Sequence, residues 1–477
     1  MKTLSQTIFD MNALNQLVKE STPDMRIRHL SGVKQITVLS LDGMSDDTYV
    51  STQVVQPIVE MGLNCKTTHQ LSQKVIFAIK CDSVTLVDKM RELFYNGYTL
   101  VFISPDECLA LDTRTTLGRN IVQPPTSNVT KGPREGFVES IKVNITLLRK
   151  RIKGPELHIE YVTVGKHTNT MVAICYISSI ASQEIADKIV QRIKAITVDG
   201  VLDSSYISSY LDHRGITLFR MVGTTEKPDV VAGKMLEGRI AVIVDGSPIV
   251  LTIPYLFVED IQGPEDYYGS PEIITVNRIL RSLSAVICVI LPSLYVSLQL
   301  FNYQIIPLKF LITIFDATQN IPFNPLVEMV VVLVIFDILR EANARMPSIA
   351  GLSLSLIGAV VLGDAAVRAG LLGAPAVMIG ALSGIGLYTM PNNTLLLTLV
   401  RLVLTFIGGI MGLFGLSLAV VAILAYMVSL SSFGAPYLAP FAPDISSDRK
   451  DALIKVPLSK MYKRPQSIKQ KNDTRIK

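Results

Sequence analysis

Residues 325–345 read PLVEMVVVLVIFDILREANAR. The stretch is apolar over most of its length, yet it carries five charged side chains: Glu328, Asp337, Arg340, Glu341 and Arg345. A charged side chain near the centre of a bilayer costs about 2.5–3.5 kcal/mol on insertion scales, so such residues face protein or water rather than lipid. The stretch therefore predicts a helix of a multi-pass membrane protein that packs against other helices around a polar path.

The apolar composition extends over residues 279–430, where Asp364, Arg368 and Arg401 are further charged residues. The whole chain has 18% charged residues, whereas a soluble domain has about 25%. Its mean hydropathy is +0.40. Most of the charge lies in residues 1–278 and in the tail after Asp444. Composition therefore predicts a soluble N-terminal part, a membrane part and a charged tail.

A helix needs about 20 largely apolar residues to cross a bilayer. The candidate spans are residues 279–301, 325–339, 349–367 and 371–390. Pro292 predicts a kink in the first span. Residues 305–315 are apolar but too short to cross, which leaves a re-entrant or an interfacial segment. Residues 394–430 are too long for one straight span and contain four glycines, so this run either tilts strongly or breaks into two helices near Gly408, Gly409, Gly412 and Gly415.

Loop charge predicts the orientation, because lysine and arginine accumulate on the cytoplasmic side of membrane proteins. Arg278 and Arg281 precede the first candidate span, and the tail is rich in both residue types. The N-terminal segment lacks the apolar core of a signal peptide. Both termini are therefore expected in the cytoplasm, which requires an even number of crossings, either four or six.

The soluble half alternates short β-rich runs with amphipathic segments, a pattern typical of α/β domains. Predicted strands are residues 35–41, 74–80, 98–104, 157–164 and 171–178, and predicted helices are 83–95, 137–151 and 183–196. A linker at 111–131 separates two units of similar size, which raises the hypothesis of a diverged duplication. The sequence predicts an N-terminal α/β subdomain (1–125), a second α/β subdomain (131–275), a transmembrane helical domain (276–430) and a basic cytoplasmic tail (431–477).

Enzyme signatures are missing from the sequence. It contains no P-loop, GxSxG, HExxH, dinucleotide fingerprint or kinase set, and it has no tryptophan. The five cysteines are scattered without CxxC spacing, which argues against a disulfide framework and a zinc site. All five histidines precede the membrane half. We expect a protein that is not an enzyme, with no cofactor, no metal and no nucleic-acid partner.

Oppositely charged residues recur at helical spacing in the apolar half. Asp337 precedes Arg340 by three residues, and Glu341 precedes Arg345 by four, an order that favours pairing on a helix. Asp364 and Arg368 repeat the four-residue spacing. Arg401 either extends to the interface or pairs with an acid. Such pairs are either structural clamps or part of an ion pathway, and the sequence leaves both readings open.

A set of short motifs gives the chain its resemblance to one family. They include Gly132-Pro-Arg-Glu-Gly-Phe137, Pro264-Glu-Asp-Tyr-Tyr268 and Ser432-Phe-Gly-Ala-Pro-Tyr437. The residues that carry the motifs are Gly132, Pro133, Gly136, Arg149, Gly238, Arg239, Pro264, Arg281, Pro347, Gly434 and Pro436. Over residues 131–464 the chain resembles the A subunits of bacterial spore germinant receptors. It departs from their usual pattern with Asp337 in place of Glu and Asn343 in place of Gly.

The resemblance implies a protein of the inner spore membrane that works with a transporter-like B subunit and a lipoprotein C subunit. It implies a homo-oligomer, expected as a pentamer, that forms a nutrient-gated channel for monovalent cations. On this hypothesis the acids that provide a negative field along the ion pathway are Glu328, Asp337, Glu341 and Asp364, and the bases that pair with acids are Arg340, Arg345 and Arg368.

Three alternatives remain at this stage. A close paralogue of the receptor subunits works beside the dipicolinate channel of the spore. A secondary transporter would carry the solute at broken helices near the midplane of the membrane. A non-conducting scaffold would hold a transporter-like partner through its soluble units. The sequence names neither the nutrient nor the gate.

Overall fold

The computed structural model describes residues 22–345 and 363–475, with gaps at 32–34, 63–64, 66, 77–80, 105–106, 116–130 and 213–216. The chain divides into two compact units. Unit 1 comprises Met1–Tyr255, Ser432–Ala435 and Tyr462–Lys477. Unit 2 comprises Leu256–Ser431 and Pro436–Met461. Unit 1 holds strands and helices, whereas unit 2 is helical.

The first sheet of unit 1 has five strands in the order β1-β2-β4-β5-β3, and every neighbouring pair is antiparallel. Its strands are β1 (Met25–Leu30), β2 (Ile36–Leu41), β3 (Cys81–Val84), β4 (Thr99–Ser104) and β5 (Glu107–Leu111). Helix α1 (Thr68–Lys74) covers one face through Leu71, and helix α2 (Val87–Tyr95) covers the other through Met90 and Phe94. Alternate residues of each strand enter the two cores, as the period of two requires.

A helical stretch precedes α1 and begins with Asp47–Tyr49, capped by the carboxylate of Asp46. It continues through the wider π turns Val50–Val55 and Ile58–Gly62. The strand predicted at 74–80 is wrong at its start, because Lys74 ends α1, and residues 77–80 lie outside the described residues. The helix predicted from 83 begins later, because Ser83 and Val84 pair with β5 at the edge of the sheet.

The second sheet has the order β6-β7-β9-β10-β8, again with antiparallel pairs throughout. Its strands are β6 (Leu157–Val164), β7 (Thr170–Ile177), β8 (Gly223–Thr225), β9 (Ile240–Val244) and β10 (Val250–Ile253). One face is covered by α4 (Gln183–Lys194) and α5 (Ser204–Leu211), and the other by α3 (Ile141–Arg151) and α6 (Pro228–Leu236). The central strands are buried on both faces.

The two sheets share one topology. In each, the first two strands form a hairpin, helices follow, the third strand lies at an edge beside the fifth, and a helix leads to the fourth and fifth strands. This repetition of strand order, strand direction and helix position supports the duplication that the sequence raised as a hypothesis.

Arg149 joins the two sheets of unit 1 through a buried ion pair. Its guanidinium donates to both carboxylate oxygens of Asp24, at 2.9 and 3.0 Å, and to the hydroxyl of Thr22 at 3.1 Å. The side chains of both charged partners are at most 2% exposed. The ring of Tyr95 lies 5.8 Å from the guanidinium carbon. Arg149 therefore fixes the entry to β1 against the last turn of α3.

In the described part of unit 2 the principal helices are α7 (Pro271–Leu300), α8 (Leu308–Thr318), α9 (Pro325–Arg345), α10 (Ala374–Leu387) and α11 (Thr394–Ser429). Residues 363–368 are also helical. Within the described residues, two helical stretches are long and apolar enough to cross a membrane, Pro271–Leu300 and Pro391–Ser429. The span predicted at 349–367 lies mostly outside the described residues. The number of crossings therefore stays a prediction.

Helix α11 breaks at a glycine, as one of the two sequence alternatives predicted. Gly412 has φ 63° and ψ −157°, which interrupts the helical backbone. A side chain there would meet the Cβ of Phe301 at 3.0 Å. Gly408 faces the backbone of Ser293 on α7, where an added Cβ would lie 2.9 Å from the carbonyl oxygen. The glycines thus serve both the break and the close approach of two helices.

The tail, predicted as a basic segment, is divided between the two units. Within unit 1, Arg464 donates to the carbonyl of Leu236 at 2.8 Å, and the backbone of Lys471 donates to Ile180 at 2.8 Å. Ile468 is buried. Within unit 2, Asp451 accepts from Arg278 at 3.0 Å. At least one basic side chain of the tail, that of Arg464, therefore stabilises the fold of unit 1.

Candidate functional site

The polar residues of the helical unit converge on Asp337, which projects from α9. Arg401 of α11 donates through Nη2 to both carboxylate oxygens, at 2.8 and 2.9 Å. Arg340, one turn further along α9, lies 3.3 Å from Oδ1 of Asp337. The Arg401 side chain is 1% exposed and that of Asp337 is 20% exposed. A single carboxylate is thus held between two guanidinium groups.

The network extends from Arg401 to two further helices. Its Nη1 donates to the hydroxyl of Ser383 on α10 at 3.0 Å, and that hydroxyl donates to the carbonyl of Cys288 on α7 at 2.6 Å. Proline has no N–H, so Pro292 leaves the carbonyl four residues earlier without its helical donor. Ser383 supplies that donor. The predicted kink position and the charged residue therefore belong to one hydrogen-bonded network.

We call the residues of this network the Arg401 cluster: Cys288, Asp337, Arg340, Ser383, Thr398 and Arg401. Thr398 joins it by accepting from Arg340 at 2.9 Å. The cluster joins α7, α9, α10 and α11, and its formal charge is +1 because two arginines face one aspartate. Sequence reasoning named Asp337, Arg340 and Arg401, but it missed Cys288, Ser383 and Thr398, whose types carry no signal in an apolar run.

Two predicted pairs are present but lie at the surface of the unit. Glu341 accepts from Arg345 at 2.7 Å, and their side chains are 59% and 79% exposed. Asp364 accepts from Arg368 at 2.8 Å, with exposures of 57% and 79%. Exposed ion pairs contribute about 0–1 kcal/mol in water. In the isolated chain these four side chains are available to water or to another protein.

Glu328 occupies a different environment, at the start of α9. Its side chain is buried, and Oε1 accepts from the backbone N–H of Gly373, immediately before α10, at 2.6 Å. A Cβ at position 373 would lie 2.9 Å from that oxygen. The absence of a side chain at Gly373 therefore allows the carboxylate to cap α10, where a negative charge is favoured.

The motif residues of unit 1 mostly lie in turns or make contacts that stabilise this unit. Gly132, Gly238 and Gly434 all have positive φ angles, which glycine adopts at low cost. The carbonyl of Pro133 accepts from the buried ammonium of Lys227 at 3.0 Å. Gly136 is buried. Arg239 pairs with Glu237 at 2.5 Å, so these motifs have a structural role in this unit.

The motif residues of unit 2 gather at the start of α7. Pro264 opens a short turn that ends near Asp266, and the buried Arg278 donates to Asp266 at 2.7 Å. Arg281 donates to the carbonyl of Ile261 and lies 3.6 Å from Asp266. The carbonyl of Pro436 accepts from Ala439 at 3.1 Å. Pro347 lies outside the described residues.

Comparisons with known proteins agree over nearly the whole chain. The family model for the Bacillus/Clostridium GerA spore germination protein matches residues 12–467. The chain is 35% identical to spore germination protein KA of Bacillus subtilis (strain 168), across 95% of this chain and 85% of that protein. It is 30% identical to spore germination protein GerQA of Bacillus cereus, across 97% and 93% of the two chains.

Two further relatives are similar. The uncharacterized membrane protein YfkQ of Bacillus subtilis (strain 168) is 31% identical, across 90% of this chain and 84% of that protein. The solved N-terminal domain of the A subunit of the Bacillus megaterium spore germinant receptor GerK3 is 26% identical, with a TM-score of 0.42, across 54% of this chain and 99% of that one. The resemblance noted in the sequence is confirmed, and the chain belongs to the Bacillus/Clostridium GerA family of spore germination proteins.

Proposed function

We propose that this chain is the A-type subunit of a nutrient-responsive germinant receptor in the inner membrane of the spore. The single observation that carries this proposal is the family match over residues 12–467. The proposed partners are a transporter-like B subunit and a lipoprotein C subunit. The two long apolar helices support insertion into a membrane.

The finer proposal is that the chain oligomerises, as a pentamer, and passes monovalent cations when the nutrient binds. The exposed pairs Glu341–Arg345 and Asp364–Arg368 support it, because charged side chains on apolar helices require water or protein around them. In a closed ring of copies, repeated acids make a negative field that favours cations. Glu328 and Asp337 belong to the same proposed pathway.

The test is potassium release from spores after nutrient addition. Glu328→Gln, Asp337→Asn, Glu341→Gln and Asp364→Asn are compared with Glu139→Gln, which removes an exposed acid of unit 1. We expect slower release from the variants of the pathway at normal protein levels and unchanged release from the control. Unchanged release from all four variants would remove the acids from conduction.

A non-conducting scaffold is the second candidate, and the Arg401 cluster favours it. Two arginines around one aspartate leave a positive charge inside the helical unit, which repels cations. Purified protein in liposomes separates the two candidates. Potassium flux that requires this chain supports the channel, and absence of flux from the chain with its B and C partners supports the scaffold.

A further inference from the structure

Helix α8 is apolar, yet it contacts the rest of unit 2 along one narrow stripe. Among its residues, all of which the structure describes, Ile314 alone is buried, with 4% exposure. It packs into the apolar core that contains Val296 of α7 and Met329 of α9. Leu311 and Thr318 flank Ile314 at helical spacing and are half-buried. Most of the remaining surface of α8 is exposed.

That exposed surface has an apolar side and a polar side. Successive residues of a helix are rotated by about 100°, which places Leu308, Ile312 and Phe315 within an arc of about 60°. Each of these three side chains is more than half exposed. Lys309 and Asp316 lie on the side opposite the packed stripe and are also exposed. This cross-section is typical of a helix that lies in the boundary between lipid and water.

The length of α7 indicates where α8 begins relative to a membrane. Residues 282–300 carry no charge, and at 1.5 Å per residue they extend roughly 28 Å. The hydrocarbon core of a bilayer is about 30 Å thick, so a membrane-spanning α7 has Arg281 near one boundary and Leu300 near the other. Phe301 and Tyr303 follow and are about half exposed, which agrees with this depth because aromatic residues concentrate at membrane boundaries.

Polar residues flank α8 at both ends, and they distinguish a re-entrant from an interfacial arrangement. Asn302 and Gln304 precede the helix, and Gln319 and Asn320 follow it. A re-entrant helix would carry one of these pairs into the hydrocarbon, where an amide that loses its water costs several kcal/mol. A helix parallel to the membrane plane keeps both pairs at the boundary. The flanking residues therefore favour the interfacial arrangement.

We propose that α8 binds the headgroup boundary of the membrane on the side away from Arg281. Leu308, Ile312 and Phe315 enter the lipid, to a depth of about 5–10 Å for a helix of this kind, and Lys309 lies among the headgroups. The inference rests on the proposed function, because unit 2 must be inserted in a membrane. It goes further by assigning a lipid-binding surface to a helix that does not cross the membrane.

The test uses the absence of tryptophan from this chain, because an introduced tryptophan is then the sole indole. Phe315→Trp and Ile312→Trp are made separately in the full chain, which is reconstituted in vesicles of brominated phosphatidylcholine. Both substitutions lie on the exposed apolar side, so neither should disturb the packed stripe. We expect bromine near the headgroup to quench both tryptophans more strongly than bromine near the chain end, and aqueous acrylamide to quench them weakly.

Two control variants bracket this result. Tyr206→Trp, on the exposed surface of α5 in unit 1, should be quenched by acrylamide and not by lipid bromine. Phe406→Trp is an exposed position within the long apolar stretch Pro391–Ser429. Lipid bromine at either depth should quench it, because it reports whether unit 2 is inserted at all.

The controls separate failure of this inference from failure of the proposed function. If lipid bromine quenches Phe406→Trp but neither tryptophan of α8, the interfacial helix is refuted and membrane insertion stands. Weak quenching of the α8 tryptophans by acrylamide as well would then indicate that another copy of the chain covers the helix. Stronger quenching by the deeper bromine would identify a re-entrant helix instead. Absence of lipid quenching from Phe406→Trp would refute the insertion that the proposed function requires.

Discussion

Asp337→Asn tests whether the Arg401 cluster stabilises the packing of the helices, as a structural clamp, or takes part in ion conduction. The substitution keeps an oxygen acceptor for Arg401 but removes the negative charge that contacts both Arg340 and Arg401. Arg401 is buried and donates twice to this carboxylate, at 2.8 and 2.9 Å. Breaking a buried ion pair by removing one partner costs about 3–5 kcal/mol. In a unit of 150–250 residues each kcal/mol lowers the melting temperature by about 2–4 °C, so we expect a fall of about 10 °C.

The second variant neutralises both partners. Asp337→Asn combined with Arg401→Gln removes both charges of this pair, so Arg340 is the one charged side chain of the Arg401 cluster that remains. Replacing both members of a buried pair is often close to neutral, and we expect the double variant to regain most of the lost stability. Glu160→Gln, which breaks the exposed pair with Lys194 outside the helical unit, is the control, and its effect should stay within about 1 kcal/mol.

Thermal unfolding in detergent and potassium release from spores are measured on the same variants. If the cluster is a clamp, the double variant regains both stability and release. If Asp337 acts through its charge in the ion pathway, stability returns and release does not. A change below about 2 °C for Asp337→Asn would contradict the reasoning itself, because a buried pair of this geometry would then contribute almost nothing.

Three further predictions concern other parts of the chain. Burial raises the pKa of Asp212 from 3.8 to about 6. Its contribution to stability is therefore complete below about pH 4 and is lost as the pH rises through 6. Asp212→Asn keeps the acceptor for Met221, and it should reduce the change in the free energy of unfolding of unit 1 over that pH range by about 1–2 kcal/mol. Arg149→Leu strands the Asp24 carboxylate and should cost about 3–5 kcal/mol in chemical denaturation followed by circular dichroism, and a loss below 1 kcal/mol would contradict the buried pair. Gly412→Ala forces a side chain into a positive-φ position beside Phe301 and should lower stability by about 1–2 kcal/mol, whereas Gly384→Ala, with open space around it, is the control and should be neutral or stabilising.

The sequence predicted helices and strands well where a local signal was strong. Strand β6 has the predicted bounds, because a run of alternating burial is bounded by turns. The glycines of α11 marked a break through backbone chemistry alone, whereas the kink at Pro292 stays a prediction. Prediction failed near β3, where four residues of weak β character form an edge strand because β5 offers hydrogen bonds there. The conformation of this segment depends on pairing with β5, which lies more than 20 residues further along the chain. A short window of sequence does not include that partner.

In the candidate site, too, contacts within one helix could be predicted from the sequence, whereas contacts between helices could not. Glu341–Arg345 and Asp364–Arg368 were readable because four residues place two side chains on one face of a helix. Arg401 and Asp337 are separated by 64 positions, so their contact depends on how α9 and α11 pack. Ser383 joins the cluster because a proline elsewhere freed a carbonyl. Such contacts follow from tertiary structure, and the residue types alone do not reveal them.

The four candidate acids of the helical unit therefore occupy three different environments, which implies different roles. Asp337 is held by Arg340 on its own helix and by Arg401 on α11, so an ion that binds it has to compete with two arginines. Glu341 and Asp364 are paired within exposed helical turns, so separating them costs little, and a neighbouring chain or an ion can compete for either partner. Glu328 is buried, and its contact among the described residues is the N-terminal end of a helix. If cations pass through this family of proteins, the acid most sensitive to the ion itself should be the one without an arginine, because no competing counter-charge has to be displaced before the ion binds.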